Sequence, residues 1–265
     1  MLEKTGASAL LARRRSADVG SDDDHPREGE VGVSANGSYG LDLGHATLRT
    51  AVPFSGLRLR EGVSVSSQQW DERYSGDELV WTSTPNQFLV AGVVGLPVGR
   101  AVDLACGEGR NSIWLAERGW QVTGVDFSPV GLAKARRFAD LRGVEVAWVE
   151  SAVENWTPPP DGFDLVAVLY LQLPQPARSA ALAVAASAVA PGGTLLVIAH
   201  DLDNLTRGYG GPPVPDVLYR VRDVTGAAVD AGLTVVQAEQ AVRVVDTDDG
   251  PRGALDTVVR AKRPL

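Results

Sequence analysis

The sequence predicts an α/β fold: a seven-stranded, mostly parallel sheet with helices on both faces and an antiparallel β-hairpin at its C-terminal end. Three observations carry that prediction. Short apolar runs alternate with helix-length segments from Gln69 onward. A glycine-rich turn, from Cys106 to Gly109, stands between the first apolar run and the helix after it. The last two apolar runs are joined by the polar stretch DTDDGPRG, a connection short enough to pair them antiparallel.

Taken in order, a helix is expected over Pro85–Val94 and then a strand over Ala101–Leu104, whose unbroken apolar run suits burial on both faces. Asn111–Arg118 follows as a helix and stops at Gly119, since glycine ends helices by entering the left-handed region. Val122–Val125 is the second strand. The helix over Pro129–Leu141 has Ser128 as its N-cap, a proline in its first turn and Gly143 beyond its end. Further strands are read at Val144–Val149, Leu165–Tyr170, Thr194–His200, Leu233–Val245 and Leu255–Ala261, interleaved with helices over Pro176–Ala190 and Asp223–Ala231. This part of the chain carries no internal repeat or heptad.

The run from Arg100 to Arg137 places one acid, Asp103, inside the first strand, two glycines after it, and a second acid, Asp126, at the end of the second strand. Open parallel sheets bind ligands at the carboxyl ends of their strands, where such a carboxylate can accept from both hydroxyls of a ribose. The dinucleotide fingerprint would put a third glycine where this chain has Ser112. A pyrophosphate also favours neutral or positive surroundings, whereas Asp103 and Glu108 make this loop acidic. An acidic loop suits a cationic nucleoside, and S-adenosylmethionine carries a sulfonium and an ammonium group.

With these features together, the chain resembles the class I S-adenosylmethionine-dependent methyltransferases, whose Rossmann-like sheet ends in such a hairpin. The resemblance covers about residues 70–265. The segments WDERYSGDELVWTSTPNQFL, DLACGEGRNSIWLAERGWQVTGVDFS and FDLVAVLYLQLP narrow it to the small-molecule group that contains the tellurite-resistance and thiopurine methyltransferases. It implies S-adenosylmethionine as cofactor, S-adenosylhomocysteine as product, and methyl transfer to a small acceptor such as a thiol or a chalcogen oxyanion. Residue by residue, it gives Asp103, Cys106, Gly107 and Gly109 to the methionine end, Asp126 to the ribose and Phe127 to the adenine face, with Ala105, Ala152, Val153 and Leu169 as further cofactor contacts. Relatives commonly place an acid for the adenine amine at the position of Ala152. Either Glu150, Ser151 or Glu154 substitutes here, or adenine is held by stacking and the Val153 backbone.

Methyl transfer to an activated sulfonium is an in-line displacement, so much of the catalysis can come from holding nucleophile and methyl about 3 Å apart away from water. The acceptor-side candidates are Tyr170 and Gln172 after the fourth strand, and His200 at the end of the fifth. His200 is read as a general base or hydrogen-bond donor near neutral pH, or else as a strand-end histidine tied to the following NLTRGYGGP loop. Tyr170 serves equally as pocket wall. Trp81, Asn86 and Phe88 lie in the segment that in relatives folds over the cofactor, the plainer alternative being that Trp81 and Phe88 anchor their helix. Cys106 is read as a small packing residue and not as a nucleophile.

Composition sets outer bounds. No apolar run approaches the roughly 20 residues of a membrane span, and the one cysteine rules out an internal disulfide, so a soluble cytoplasmic protein is expected. The net charge is −8, and residues 67–265 hold 17 Lys/Arg against 24 Asp/Glu. A nucleic-acid partner is therefore not expected. Three histidines and a single cysteine offer no zinc cluster. A monomer or weak homodimer is expected. Residues 1–66, rich in Gly, Ser and Asp, read as a disordered or loosely packed extension, with a strand within Leu41–Val65 as the alternative, and leave 67–265 as the domain. Two other functions stand beside the methyltransferase. One is a protein that binds S-adenosylmethionine or S-adenosylhomocysteine without turnover; the other, more remote, is an NAD-dependent oxidoreductase, against which Ser112 and the terminal hairpin speak.

Overall fold

The computed structural model describes Ser66–Leu265. The extension expected to be disordered and the strand considered within Leu41–Val65 lie outside the described residues. Within them the chain runs α1 (Ser67–Tyr74), α2 (Gln87–Val93), β1 (Arg100–Leu104), α3 (Arg110–Ala116), β2 (Gln121–Asp126), α4 (Pro129–Arg142), β3 (Val146–Glu150), β4 (Phe163–Leu169), α5 (Ala177–Ser187), β5 (Val189–His200), α6 (Asn204–Arg207), α7 (Val221–Asp230), β6 (Thr234–Val245) and β7 (Arg252–Lys262). The seven strands form one sheet in the order β3-β2-β1-β4-β5-β7-β6. Pairing is parallel from β3 to β5 and antiparallel where β7 meets β5 and β6, as the hairpin predicts. Strand order reverses between β1 and β4, which puts the crevice for a ligand at the carboxyl ends of those two strands.

The unbroken apolar strands are buried on both faces, with alternate residues feeding two cores. Val102, Leu104, Val166, Val168 and Val197 pack against Leu182 and Ala185 of α5 and Val224 and Ala228 of α7. Their neighbours Ala101, Leu165, Ala167, Leu196 and Ile198 pack against Leu89 of α2 and Trp114 and Leu115 of α3. Phe88 packs against this second core, as the plainer of its two readings has it. Capping follows the expected chemistry at α4, where Ser128 Oγ accepts from the Gly131 N–H and Gly143 adopts a left-handed conformation at the C-cap.

Helices α1 and α6 went unforeseen, and several boundaries differ from expectation: β3 starts at Val146 instead of Val144, β4 at Phe163 instead of Leu165 and β5 at Val189 instead of Thr194. Helix α1 is strongly polar apart from Trp70 and Tyr74, too few apolar residues to show a helical period; its start is fixed by a capping box between Ser66 and Gln69. Helix α5 ends at Ser187 instead of Ala190, because Val189 already pairs with Phe163 of β4. Strand β7 starts at Arg252, three residues earlier than read, so the hairpin turn is shorter.

Candidate active site

The crevice is built from two backbone turns in which non-glycine residues are left-handed. Ala105, after β1, has φ 60°, and Tyr170, after β4, has φ 55°. Such conformations carry strain that the surrounding structure must hold. Between them runs the glycine loop. The Cys106 N–H donates to the Val125 carbonyl at 3.0 Å, tying the loop to β2. Gly107 and Gly109 have φ of +54° and +79°. A Cβ on Gly107 would stand 2.7 Å from the Tyr74 hydroxyl, and one on Gly109 would stand 2.6 Å from the Trp148 ring and 2.9 Å from Ala135 Cβ. Both positions therefore exclude side chains twice over, by conformation and by space.

Asp126 closes the loop from the side. Its Oδ2 accepts from the Gly107 N–H at 2.8 Å and its Oδ1 from the Ser128 N–H at 2.9 Å. Burial raises its carboxyl above the usual range, and the N–H groups of Ser128, Gly107 and Phe127 pull it back. A carboxylate has about four acceptor sites, so two backbone bonds leave room for hydroxyl donors. Asp103 lies beneath the loop and accepts from Ser112 Oγ at 2.7 Å. Burial pushes its carboxyl up to about 6, partly offset by the Ser112 hydroxyl and Arg110. Ser112, where a dinucleotide fold would have glycine, thus serves to hold an acid in place. The Cys106 thiol is buried and pushed well up by desolvation, with Asp126 and Asp103 adding to the effect, so it stays protonated and inert as expected.

The N-terminal segment docks on this loop through two acids, only one of which has any sequence signal. Asp71 of α1 accepts from Ser128 Oγ at 2.5 Å. Glu108, the loop acid, is buried and accepts from the Val80 N–H at 3.0 Å, the Trp81 N–H at 3.3 Å and Lys134 Nζ at 3.0 Å. Lys134 Nζ also reaches the Glu78 carbonyl at 2.8 Å. Residues 78–81 are therefore strapped to the glycine loop, and the Trp81 ring packs on the Arg73 guanidinium 5.0 Å away.

On the side toward β3, the Ser151 N–H donates to the Asp126 carbonyl at 2.9 Å, and its hydroxyl is engaged by the Ala152 carbonyl at 3.0 Å. Glu150 is exposed; Glu154 is half-buried; Val153 is buried at the start of a short 3-10 turn. Phe127 and Ala152 are half-buried, and Leu169 is buried at the end of β4. Trp148 went unforeseen: its ring fills the space beside Gly124, where a Cβ would come within 2.5 Å of it.

At the other end of the crevice, Tyr170 and His200 meet face to tilted face, ring centroids 4.6 Å apart. A residue the sequence did not single out joins them. Asp256 of β7 is fully buried; its Oδ2 accepts from the Tyr170 hydroxyl at 2.8 Å and from Arg243 Nε at 2.7 Å, and its Oδ1 faces His200 Nδ1 at 3.4 Å. Burial raises the Asp256 carboxyl, but His200 and Arg243 outweigh that and hold it below the usual range. Asn86, also the N-cap of α2, donates from Nδ2 to the Tyr170 hydroxyl at 3.1 Å. Gly211 lies against the His200 ring: a Cβ there would come within 3.2 Å of Nδ1. The histidine is thus wedged between Tyr170 and the loop after β5. Gln172 is buried, and its Oε1 has no hydrogen-bond partner.

Among the described residues no group of three or more His, Cys, Asp or Glu could hold a metal ion, and no helix is long and apolar enough to cross a membrane. The left-handed glycine cradle and two buried acids at neighbouring strand ends fit a nucleoside bearing a cationic chain, as S-adenosylmethionine does.

The comparisons with known proteins point the same way. Residues 101–193 match the family model described as a methyltransferase domain. Glycine N-methyltransferase from Rattus norvegicus is 29% identical over 211 residues, covering 74% of this chain and 71% of the relative. A structure described as "Conversion of a Disulfide Bond into a Thioacetal Group during Echinomycin Biosynthesis" superposes with a TM-score of 0.60 at 20% identity, over 75% of this chain and 92% of the other. TehB from Haemophilus influenzae gives 0.55 at 13% identity, over 74% and 66%. Family match, strand order and cradle agree, and residues 101–193 are the core of an S-adenosylmethionine-dependent methyltransferase domain.

Proposed function

We propose that the domain methylates a small-molecule acceptor held between Tyr170 and His200, with the donor lying across the glycine loop. The observation that carries this reading is the Asp256–His200–Tyr170 network, which joins the carboxyl ends of β4 and β5 to an acid inside β7. In it Asp103 holds the ammonium end, Asp126 the ribose hydroxyls, and Phe127, Ala152, Val153 and Leu169 the adenine, with Ala105, Cys106, Gly107 and Gly109 shaping the path between. S-adenosylmethionine supplies, when bound, an electrophilic methyl on a sulfonium. The chain's own residues do the rest. Asp256 Oδ1 lies 3.4 Å from His200 Nδ1, a charge contact outside hydrogen-bond geometry, and favours a proton on that nitrogen, which leaves Nε2 as the proton-accepting atom. Nε2 then takes a proton from an acceptor that must lose one, and Tyr170 positions that acceptor through a hydroxyl tied down by Asn86 and Asp256. Residues 78–81, strapped by Glu108, keep water from the transfer.

A relative named for glycine supports an acceptor of small size. The reading is tested by following labelled methyl from S-adenosylmethionine across a panel of thiols, selenite, tellurite, small phenols, and glycine and other small amines. Transfer to at least one is expected. Transfer confined to protein or nucleic acid would overturn the small-molecule reading.

A further inference from the structure

We propose that Arg110 receives an anionic group carried by the methyl acceptor, a carboxylate or oxyanion, and so makes small anions the substrate class of this site. The proposal rests on the methyltransferase reading above and deepens it. Arg110 follows Gly109 directly, so its side chain rises from the end of the glycine loop. It is half-buried, and its hydrogen bond is from Nη1 to the Thr82 hydroxyl at 3.2 Å. No carboxylate lies within 4.0 Å of it among the described residues. Two other cations packed near the crevice are matched by carboxylates, Lys134 by Glu108 and Arg243 by Asp256. A half-buried guanidinium with one neutral partner is costly unless an anion completes it.

The next residue links this turn to the acceptor end: Asn111 Oδ1 accepts from the Asn86 N–H at 2.9 Å, and Asn86 Nδ2 donates to the Tyr170 hydroxyl at 3.1 Å. Burial weakens the hold of Arg110 on its proton, Tyr170 and Asp103 strengthen it, and Arg243 weakens it again. Arg243 in turn has its guanidinium 5.6 Å from the Tyr170 ring. Arg243 is neutralised by Asp256, whereas Arg110 has only the Thr82 hydroxyl. An anion set against Tyr170 would relieve their repulsion and present the oxygen pair that a guanidinium fork binds bidentately. The crevice is therefore divided: buried acids Asp103 and Asp126 toward the cationic donor, Arg110, Arg243 and His200 toward the acceptor. A cationic amine with no acid group would leave Arg110 unmatched.

The test is calorimetric, on the full chain loaded with S-adenosylhomocysteine, whose own affinity is measured first for wild type, Arg110→Met and Arg110→Lys. Acetate, benzoate and selenite are then titrated, with acetamide and benzamide as neutral matches. At least one anion is expected to bind tenfold or more tightly than its neutral match or, for selenite, than to Arg110→Met. That binding should be lost in Arg110→Met and partly kept in Arg110→Lys, with S-adenosylhomocysteine affinity within twofold throughout. Equal binding of anions and neutral matches, or anion binding that survives Arg110→Met, would overturn the proposal. So would a tenfold loss of S-adenosylhomocysteine affinity in Arg110→Met, since the arginine would then serve the carboxylate of the cofactor. Failure of the wild type to bind S-adenosylhomocysteine at all would instead strike the proposed function beneath it.

Discussion

Tyr170 and Asp256 stand 86 positions apart, and the tyrosine hydroxyl donates to the aspartate Oδ2 over 2.8 Å. The antiparallel hairpin makes this contact: β7 pairs with β5 so that Asp256 is the register partner of His200, while Tyr170 turns out of β4 on the other side of β5. The C-terminal hairpin thereby delivers a fully buried acid to the acceptor end.

Asp256→Asn removes that charge while keeping the shape. For an acceptor that must be deprotonated, kcat is expected to fall about 100-fold or more, about 2.7 kcal/mol, with cofactor affinity unchanged. The pH profile of kcat should change as well, because the proton-transfer step then runs without its buried carboxylate. A loss of kcat with an unmoved profile would assign Asp256 to structure alone. Its folded-state carboxyl is held low, so it contributes stability above the ordinary aspartate range, lost as pH falls through the depressed value.

Asp103 gives two slopes of opposite sign. Its folded-state carboxyl is pushed up to about 6, chiefly by burial, so the native state holds the proton more tightly than the unfolded chain. The contribution of Asp103 to the stability of the empty protein is therefore greatest at low pH and falls as pH rises toward 6, by about 1.4 kcal/mol per unit at most. Affinity for a cationic cofactor runs the other way, rising up to about tenfold per unit until Asp103 is ionised. Thermal melts and cofactor titrations between pH 4.5 and 8 read both, and Asp103→Asn should flatten both. Cofactor affinity that stays level across that range would take Asp103 out of the binding site.

Glu108→Gln should loosen the strap over the crevice. The amide keeps one oxygen for the Val80 and Trp81 N–H groups but leaves Lys134 without its carboxylate. The expected cost is about 1–3 kcal/mol, with proteolysis between residues 75 and 84 accelerated before the sheet unfolds. Cleavage at the wild-type rate would show that Asp71 and Tyr74 hold the segment unaided.

The cofactor half of the site was legible because it is local: Asp103, the glycine pair and Asp126 fall within one strand-turn-helix-strand unit whose geometry constrains residue type directly. The sheet was legible for a related reason, since strands buried on both faces must be apolar throughout. The acceptor half was only partly so. Tyr170 and His200 follow from strand ends, but Asp256 and Arg243 lie inside hairpin strands whose alternation gives no hint that one acid is fully buried. Only the pairing register of β5 and β7 reveals it. Arg110 was passed over because a charged residue after a glycine loop reads as solvated until its neighbours are known, and Trp148 because its reason, the space beside Gly109 and Gly124, exists only across two strands.

His200→Asn separates a proton-transfer site from one that works by placement. If Nε2 takes a proton, turnover of an acceptor that must be deprotonated should fall more than about 100-fold, whereas an acceptor already anionic at neutral pH should lose no more than a few-fold. The two acceptors share the donor, the loop and the Tyr170 wall, so a general disturbance of the crevice would slow both alike. Combining His200→Asn with Asp256→Asn tests the pairing further: residues that act as a unit are strongly non-additive, and the double variant is expected to be scarcely slower than either single one. Independent losses that multiply in the double variant would mean that the 3.4 Å contact between them carries no catalytic coupling. In that case His200 would be a strand-end residue held by Tyr170 and the Gly211 turn, and rate enhancement would rest on alignment of acceptor and methyl alone.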